Sequence, residues 1–139
     1  MSEGDGQETQ SKEAPGVDAR LVRPSGISYL HIPADDVRQA AAFYEDVFGW
    51  NVHGKDSNRP SFDDGTGHVS GAWMSDQSIS REPGLLPYIY VAHIEEAAKQ
   101  IVEHGGEMVR DPYSEGNLKV ATFRDPAGNM MGLWHDDAR

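Results

Sequence analysis

Residues 26–32 (GISYLHI) alternate apolar and polar positions. This predicts a strand with Leu30 and Ile32 on one face and Tyr29 and His31 on the other, ended by Pro33. Asp36 is placed to cap a helix in which Val37, Ala40, Ala41, Tyr44, Val47 and Phe48 recur at helical spacing up to Gly49. Short strands are expected at Trp50–His53, Pro60–Phe62 and Val69–Met74. The second is followed by a turn at Asp63-Asp64-Gly65, and residues 75–85 form a polar linker.

The pattern then returns. Leu86–Val91 reads as a strand. Ile94, Ala97, Ala98, Ile101 and Val102 mark a helix that stops at Gly105-Gly106 and carries Glu95 and Glu96 in its first turn, where the helix dipole favours them. Strands follow at Glu107–Arg110, Lys119–Phe123 and Met130–Trp134. The two halves keep register: Val37 and Ile94 are 57 positions apart, and so are Gly49 and Gly106. At the module ends Gly67, Gly71 and Trp73 line up with Gly128, Gly132 and Trp134. A β-α-β-β-β order repeated over about 26–74 and 85–135 implies two copies of one α+β module, each burying a face against the other. Residues 1–25 hold few large apolar side chains and are expected to be a flexible tail ahead of a folded domain at 26–137.

Charge narrows the partners. The formal net charge is -11; the first 25 residues hold five acidic and three basic residues, which leaves -9 on the domain. That argues against nucleic acid, whose binding rests on Lys and Arg against phosphate, and it leaves a cationic ligand or plain solubility open. No stretch is apolar enough to span a membrane and no secretory signal is visible, so the expected location is the cytoplasm. The absence of cysteine excludes disulfides, thiolate metal sites and a Cys nucleophile.

Four segments carry a family resemblance: Ile32-Pro33-Ala34-Asp35-Asp36, Phe43-Tyr44-Glu45-Asp46-Val47-Phe48-Gly49-Trp50, His104-Gly105-Gly106 and Phe123-Arg124-Asp125-Pro126-Ala127-Gly128-Asn129. From about Gly26 to His135 the chain resembles the vicinal-oxygen-chelate superfamily of glyoxalase I, bleomycin-resistance proteins and extradiol dioxygenases. The resemblance implies duplicated βαβββ modules whose eight strands form an incompletely closed barrel-like sheet with helices outside. It specifies a fold more than a function, since such folds host many chemistries. In the superfamily's metalloenzymes four ligands converge from the first and last strands of each module. Counted from Asp36 and Gly128, and through the repeat, those positions here are Tyr29, Gly71, Leu86 and Gly132, which implies no metal and no cofactor. His31, His68 and His135 are the nearby donors that leave an unusual metal site open.

Period two places Tyr29, His31, Gly71, Trp73, Leu86, Tyr88, Tyr90, Met130, Gly132 and Trp134 on the same face as those positions. The substrate-binding candidates are therefore Tyr29, His31, Trp73, Tyr88, Tyr90, Met130 and Trp134, an amphipathic set suited to an aromatic or apolar molecule. Trp73 and Trp134 fit equally well as barrel filling or as part of a homodimer interface. Three functions remain open: a metal-independent small-molecule binder of the bleomycin-resistance kind, a metal-dependent lyase, isomerase or dioxygenase, and a metal-free enzyme with His31 as general base.

Overall fold

A computed structural model describes residues 17–80, 82 and 84–139. Of the expected tail, residues 1–16 lie outside the described residues. Residues 17–25 are mostly exposed and contain a 3-10 turn at Ala19–Leu21, capped by the Asp18 side chain. Arg23 ties this stretch to the domain by donating to the carbonyls of Ile27 and His68.

The first module contains β1 (Tyr29–Pro33), α1 (Val37–Phe48), β2 (Asn51–His53), β3 (Ser61–Asp63) and β4 (Ser70–Met74). The second contains β5 (Tyr88–Tyr90), α2 (Ile94–Glu103), β6 (Glu107–Glu115), β7 (Leu118–Arg124) and β8 (Met130–Asp136). The eight strands divide into two four-stranded mixed sheets, in the orders β1-β4-β3-β2 and β5-β8-β7-β6, with one parallel pair in each. The duplicated α+β architecture is the expected one, and the sheets do not close.

Helix α1 starts where the sequence places it. The Asp36 carboxylate accepts from the Gln39 backbone N–H at 3.0 Å, and Gly49 ends the helix at φ 70°, a left-handed conformation that glycine adopts without strain. Asp36→Ala should therefore cost about 0.5–2 kcal/mol in urea unfolding; an unchanged midpoint would show that the cap contributes nothing. Helix α2 begins without such a bond, because His93 at its N-cap makes no side-chain capping contact. Strand β6 runs five residues beyond the expected Arg110. It tolerates Pro112 because it is an edge strand with two register shifts against β7.

Side chains from both modules meet in one core. Trp50, Phe62 and Trp73 pack with Tyr44 of α1 on one side, and Ile101, Phe123, Met131 and Leu133 fill the other. Helix α1 joins the halves: Phe43 lies 6.3 Å from the Phe123 ring, and the Tyr44 hydroxyl donates to Asp125 at 2.8 Å. Asp125 is 3% exposed and also accepts from the backbone N–H groups of Ala127, Gly128 and Asn129 and from the Asn129 amide. Two of the recognised motifs, the FYEDVFGW helix and the DPAGN turn, thus touch each other across the module junction. The bond occurs once, since the α2 residue 57 positions after Tyr44 is the buried, apolar Ile101.

Candidate functional site

Strand register decides which side chains share a face. In the second module Tyr88 pairs with Gly132 and Tyr90 with Trp134, so these residues and Met130 lie on the face of their sheet that carries no helix. This face is open: Tyr88 is 48% and Tyr90 42% exposed. The Tyr88 ring lies against the bare Cα of Gly132, and Tyr90 meets Trp134 edge to face at 4.8 Å. Val120 and Tyr113 extend the row beside Trp134, and the Arg110 guanidinium sits 3.5 Å from the centre of the Tyr113 ring. The result is an aromatic platform with a cation at one side.

The first module is arranged differently. Tyr29 pairs with Ser70, and His31 pairs with Ala72, so both face outward from sheet one. Leu30 pairs with Gly71 and Ile32 with Trp73, which turns Gly71 and Trp73 toward the helix. Trp73 is consequently corrected from the candidate set: it is 1% exposed, packs on Phe62 and Tyr44, and belongs to the core. The expectation that Gly71 and Trp73 match Gly132 and Trp134 fails by one residue, and one residue inverts a strand's faces. The Ser70 N–H donates to the Ser28 carbonyl as the Gly132 N–H donates to that of Pro87, so the structural counterparts are Ser70 and Gly132, and likewise Tyr29 and Tyr88. Leu86 precedes β5 and has no such place.

With this register, the positions that supply metal ligands in the resembled enzymes hold two phenols, a serine and a glycine. The Ser70 hydroxyl is committed to Asp63 at 2.6 Å. This donor set does not fit a divalent ion, which needs several converging N, O or S donors. His31 lies on β1, His135 on β8 and His68 in the loop before β4, and among the described residues no group of three or more His, Asp or Glu side chains is placed to share an ion.

Sheet one's outer face carries a network that the sequence reading missed. Asp63, read there as a turn residue, belongs to β3; it accepts from Ser70 and lies 2.9 Å from His53 Nε2. The Ser70 hydrogen bond, and then that of His53, holds the Asp63 carboxyl below the usual carboxylate range. The carboxylate stands between serine and histidine, so no imidazole activates Ser70, and the group is not a nucleophilic triad. The alternation Ser61-Phe62-Asp63 carried the signal for this placement.

His31 stands edge-on to Tyr29 at 5.7 Å, and its Nδ1 lies 2.9 Å from the Gln77 amide nitrogen. Beside it runs a groove of about 290 Å³ between β1, the start of β8 and the linker, lined by His31, Met130, Leu30, Leu85 and Pro87 among others. His31 and Met130, from different modules, thus share one cavity. Tyr88 and Tyr90 instead border a larger groove of about 560 Å³ between the end of α1 and the start of α2.

Comparison with known proteins agrees with this architecture. The family model described as Glyoxalase/Bleomycin resistance protein/Dioxygenase superfamily matches residues 26–133. A glyoxylase-like domain-containing protein from Didymella fabae is 29% identical over 122 residues, 81% of this chain and 95% of that protein. Among solved structures, the fosfomycin resistance protein FosX from Listeria monocytogenes superposes with a TM-score of 0.68 at 18% identity, covering 81% of this chain and 94% of that one. A glyoxalase/bleomycin resistance protein/dioxygenase family enzyme from Burkholderia phytofirmans PsJN gives 0.64 at 19% identity, with 78% and 97% covered. The family match spans most of the chain, its sheet order is duplicated in both halves, and its motifs form the junction between them: the chain belongs to the glyoxalase/bleomycin resistance protein/dioxygenase superfamily.

Proposed function

We propose that this protein binds a small aromatic or apolar molecule without a metal, on the outer sheet faces that carry Tyr29, His31, Tyr88, Tyr90, Met130 and Trp134, and that it does so in the cytoplasm. The observation that carries the reading is the aromatic platform of sheet two, where Tyr88 and Tyr90 are exposed beside the half-buried Trp134 and Tyr113. Contiguous exposed aromatic surface marks a binding face more often than a solvated one. The same surface suits a second copy of the chain, so a homodimer belongs to the proposal, and light scattering reports its mass. A metal-dependent lyase or dioxygenase is disfavoured by the donor set.

Tryptophan emission tests the reading. Trp50 and Trp73 are 7% and 1% exposed, whereas Trp134 is half-buried on the platform. Titration with a neutral bicyclic aromatic such as 2-naphthol should quench Trp134. Trp134→Ala should weaken binding by about ten-fold, the equivalent of about 1.4 kcal/mol for a lost aromatic contact. EDTA should leave both affinity and Tm unchanged, because removing a bound ion would lower Tm by mass action. Equal binding by the Trp134→Ala variant, or a Tm that falls with EDTA, would overturn the proposal.

A further inference from the structure

We infer that the groove at His31 takes a small apolar molecule bearing a neutral oxygen acceptor, such as a ketone, aldehyde or ester, and that His31 donates a hydrogen bond to that oxygen from Nε2 under the control of Gln77. This inference rests on the small-molecule reading above and adds the chemistry of the ligand and the role of one residue.

The chemistry follows from one contact. Gln77 Nε2 lies 2.9 Å from His31 Nδ1. An amide nitrogen donates and does not accept, so Nδ1 of the neutral ring is the acceptor and the ring proton sits on Nε2. His31 is on the outer face of β1 and is one of the residues that line the groove. The nitrogen left for a ligand is therefore an N–H donor. A general base at this position would need the opposite tautomer, so Gln77 sets His31 to bind rather than to abstract a proton.

The groove supplies the rest. Leu30, Leu85, Pro87 and Met130 make its walls apolar, and Leu85 is 90% exposed at its rim. A cavity of about 290 Å³ has room for roughly ten non-hydrogen atoms, at about 30 Å³ for each water-sized unit. Among the described residues the lining contains no Lys or Arg, and the chain carries -11 overall, so a carboxylate or phosphate would enter against the field. A neutral carbonyl satisfies the donor without that cost.

Gln77 acts through His31 and is a positioning residue. Gln77→Glu puts an acceptor where the amide donor stood, draws the ring proton to Nδ1, and leaves Nε2 as an acceptor. Gln77 is exposed, so the substitution leaves the fold intact.

The experiment is NMR on the full chain with labelled histidine rings and methionine methyls. Two-bond proton–nitrogen spectra should show His31 as the Nε2–H tautomer in the wild type and as the Nδ1–H tautomer in Gln77→Glu. Titration followed at the Met130 methyl should show acetophenone binding about three- to ten-fold more tightly than ethylbenzene, the usual net worth of one hydrogen bond. The preference should vanish in His31→Phe and in Gln77→Glu, and the latter should gain a preference for 1-phenylethanol, which can donate. A wild-type Nδ1–H tautomer overturns the inference. So does equal binding of acetophenone and ethylbenzene, which leaves the small-molecule reading standing. If neither compound shifts Met130, the groove is not a site, and quenching of Trp134 judges the platform separately.

Discussion

Asp125→Ala is expected to destabilise the protein by about 3–5 kcal/mol in urea unfolding. Asp125 is 3% exposed and collects five hydrogen bonds at 2.8–3.0 Å, from the Tyr44 hydroxyl, three consecutive turn amides and the Asn129 side chain. Alanine would leave the fully buried Tyr44 hydroxyl facing only the Met131 sulfur, a weak acceptor, while the half-buried turn amides could recruit water. Each stranded buried donor costs about 1–3 kcal/mol, and partial rescue by water keeps the total below the full sum. The turn also delivers Asn129, whose amide holds the Pro33 carbonyl at 2.6 Å beside the His31 groove, so ligand binding there should fall with stability. A loss under 1 kcal/mol would mean that the two modules are not joined through this residue.

The same junction predicts an alkaline limb. Burial, and then the neighbouring Asp125 charge, raises the Tyr44 phenol well above its ordinary value of 10.0. A group whose folded pKa is raised contributes its full stability below the unfolded pKa and loses it as pH rises toward the folded one. Above pH 10 the unfolded chain therefore ionises Tyr44 while the folded chain does not, and stability should fall by up to about 1.4 kcal/mol per pH unit from this group. Comparing wild type with Tyr44→Phe from pH 9 to 11 isolates the contribution from the other tyrosines and lysines; parallel curves would contradict it.

Gly71→Ala and Gly132→Ala should part company, although the sequence presents the two glycines as equivalents. A Cβ at Gly71 would collide with the Leu30 backbone carbonyl and the Phe62 ring, in a strand pair buried under α1. Neither neighbour can yield without moving sheet or core, so the expected cost is about 2–4 kcal/mol. The three atoms nearest to a Cβ at Gly132 all belong to the ring of Tyr88, which is 48% exposed and free to swing outward. That variant should lose less than about 1 kcal/mol of stability, in the range of ordinary surface changes. It should change affinity on the platform instead, because Tyr88 can no longer lie flat on the sheet. Thermal unfolding separates the two variants and 2-naphthol titration reads the second. Similar stability losses at both positions would show that the two glycines face the same environment after all.

The recognised motifs were legible because they act locally or at short range. The Asp36 cap, the Gly49 stop and the Asp125 turn each close hydrogen bonds within four residues, and their spacing along the chain already dictates them. The duplicated order of elements was equally visible, since hydrophobic period distinguishes helix from strand. Of the candidate site, Tyr88, Tyr90, Met130 and Trp134 could be assigned to one face because β5 and β8 keep the alternation that period two demands.

Register between strands was not written in any one segment. The separation between modules is 57 residues at the helix starts Val37 and Ile94, 59 from Tyr29 to Tyr88, and 62 from Ser70 to Gly132. The offset of 57 therefore points to Leu86 instead of Tyr88, and the glycine–tryptophan match, at an offset of 61, puts Trp73 on the wrong face. Nor could the chain announce the pairing of Gln77 with His31, 46 residues apart, or the network of Asp63 with His53 and Ser70. The sequence by itself determined which elements form, where they stop and that they form twice, because those outcomes depend on neighbours within one or two turns. The tertiary structure alone decided which side of β4 is buried and which polar groups meet, because a shift of one residue between strands costs nothing locally and inverts every side chain at once.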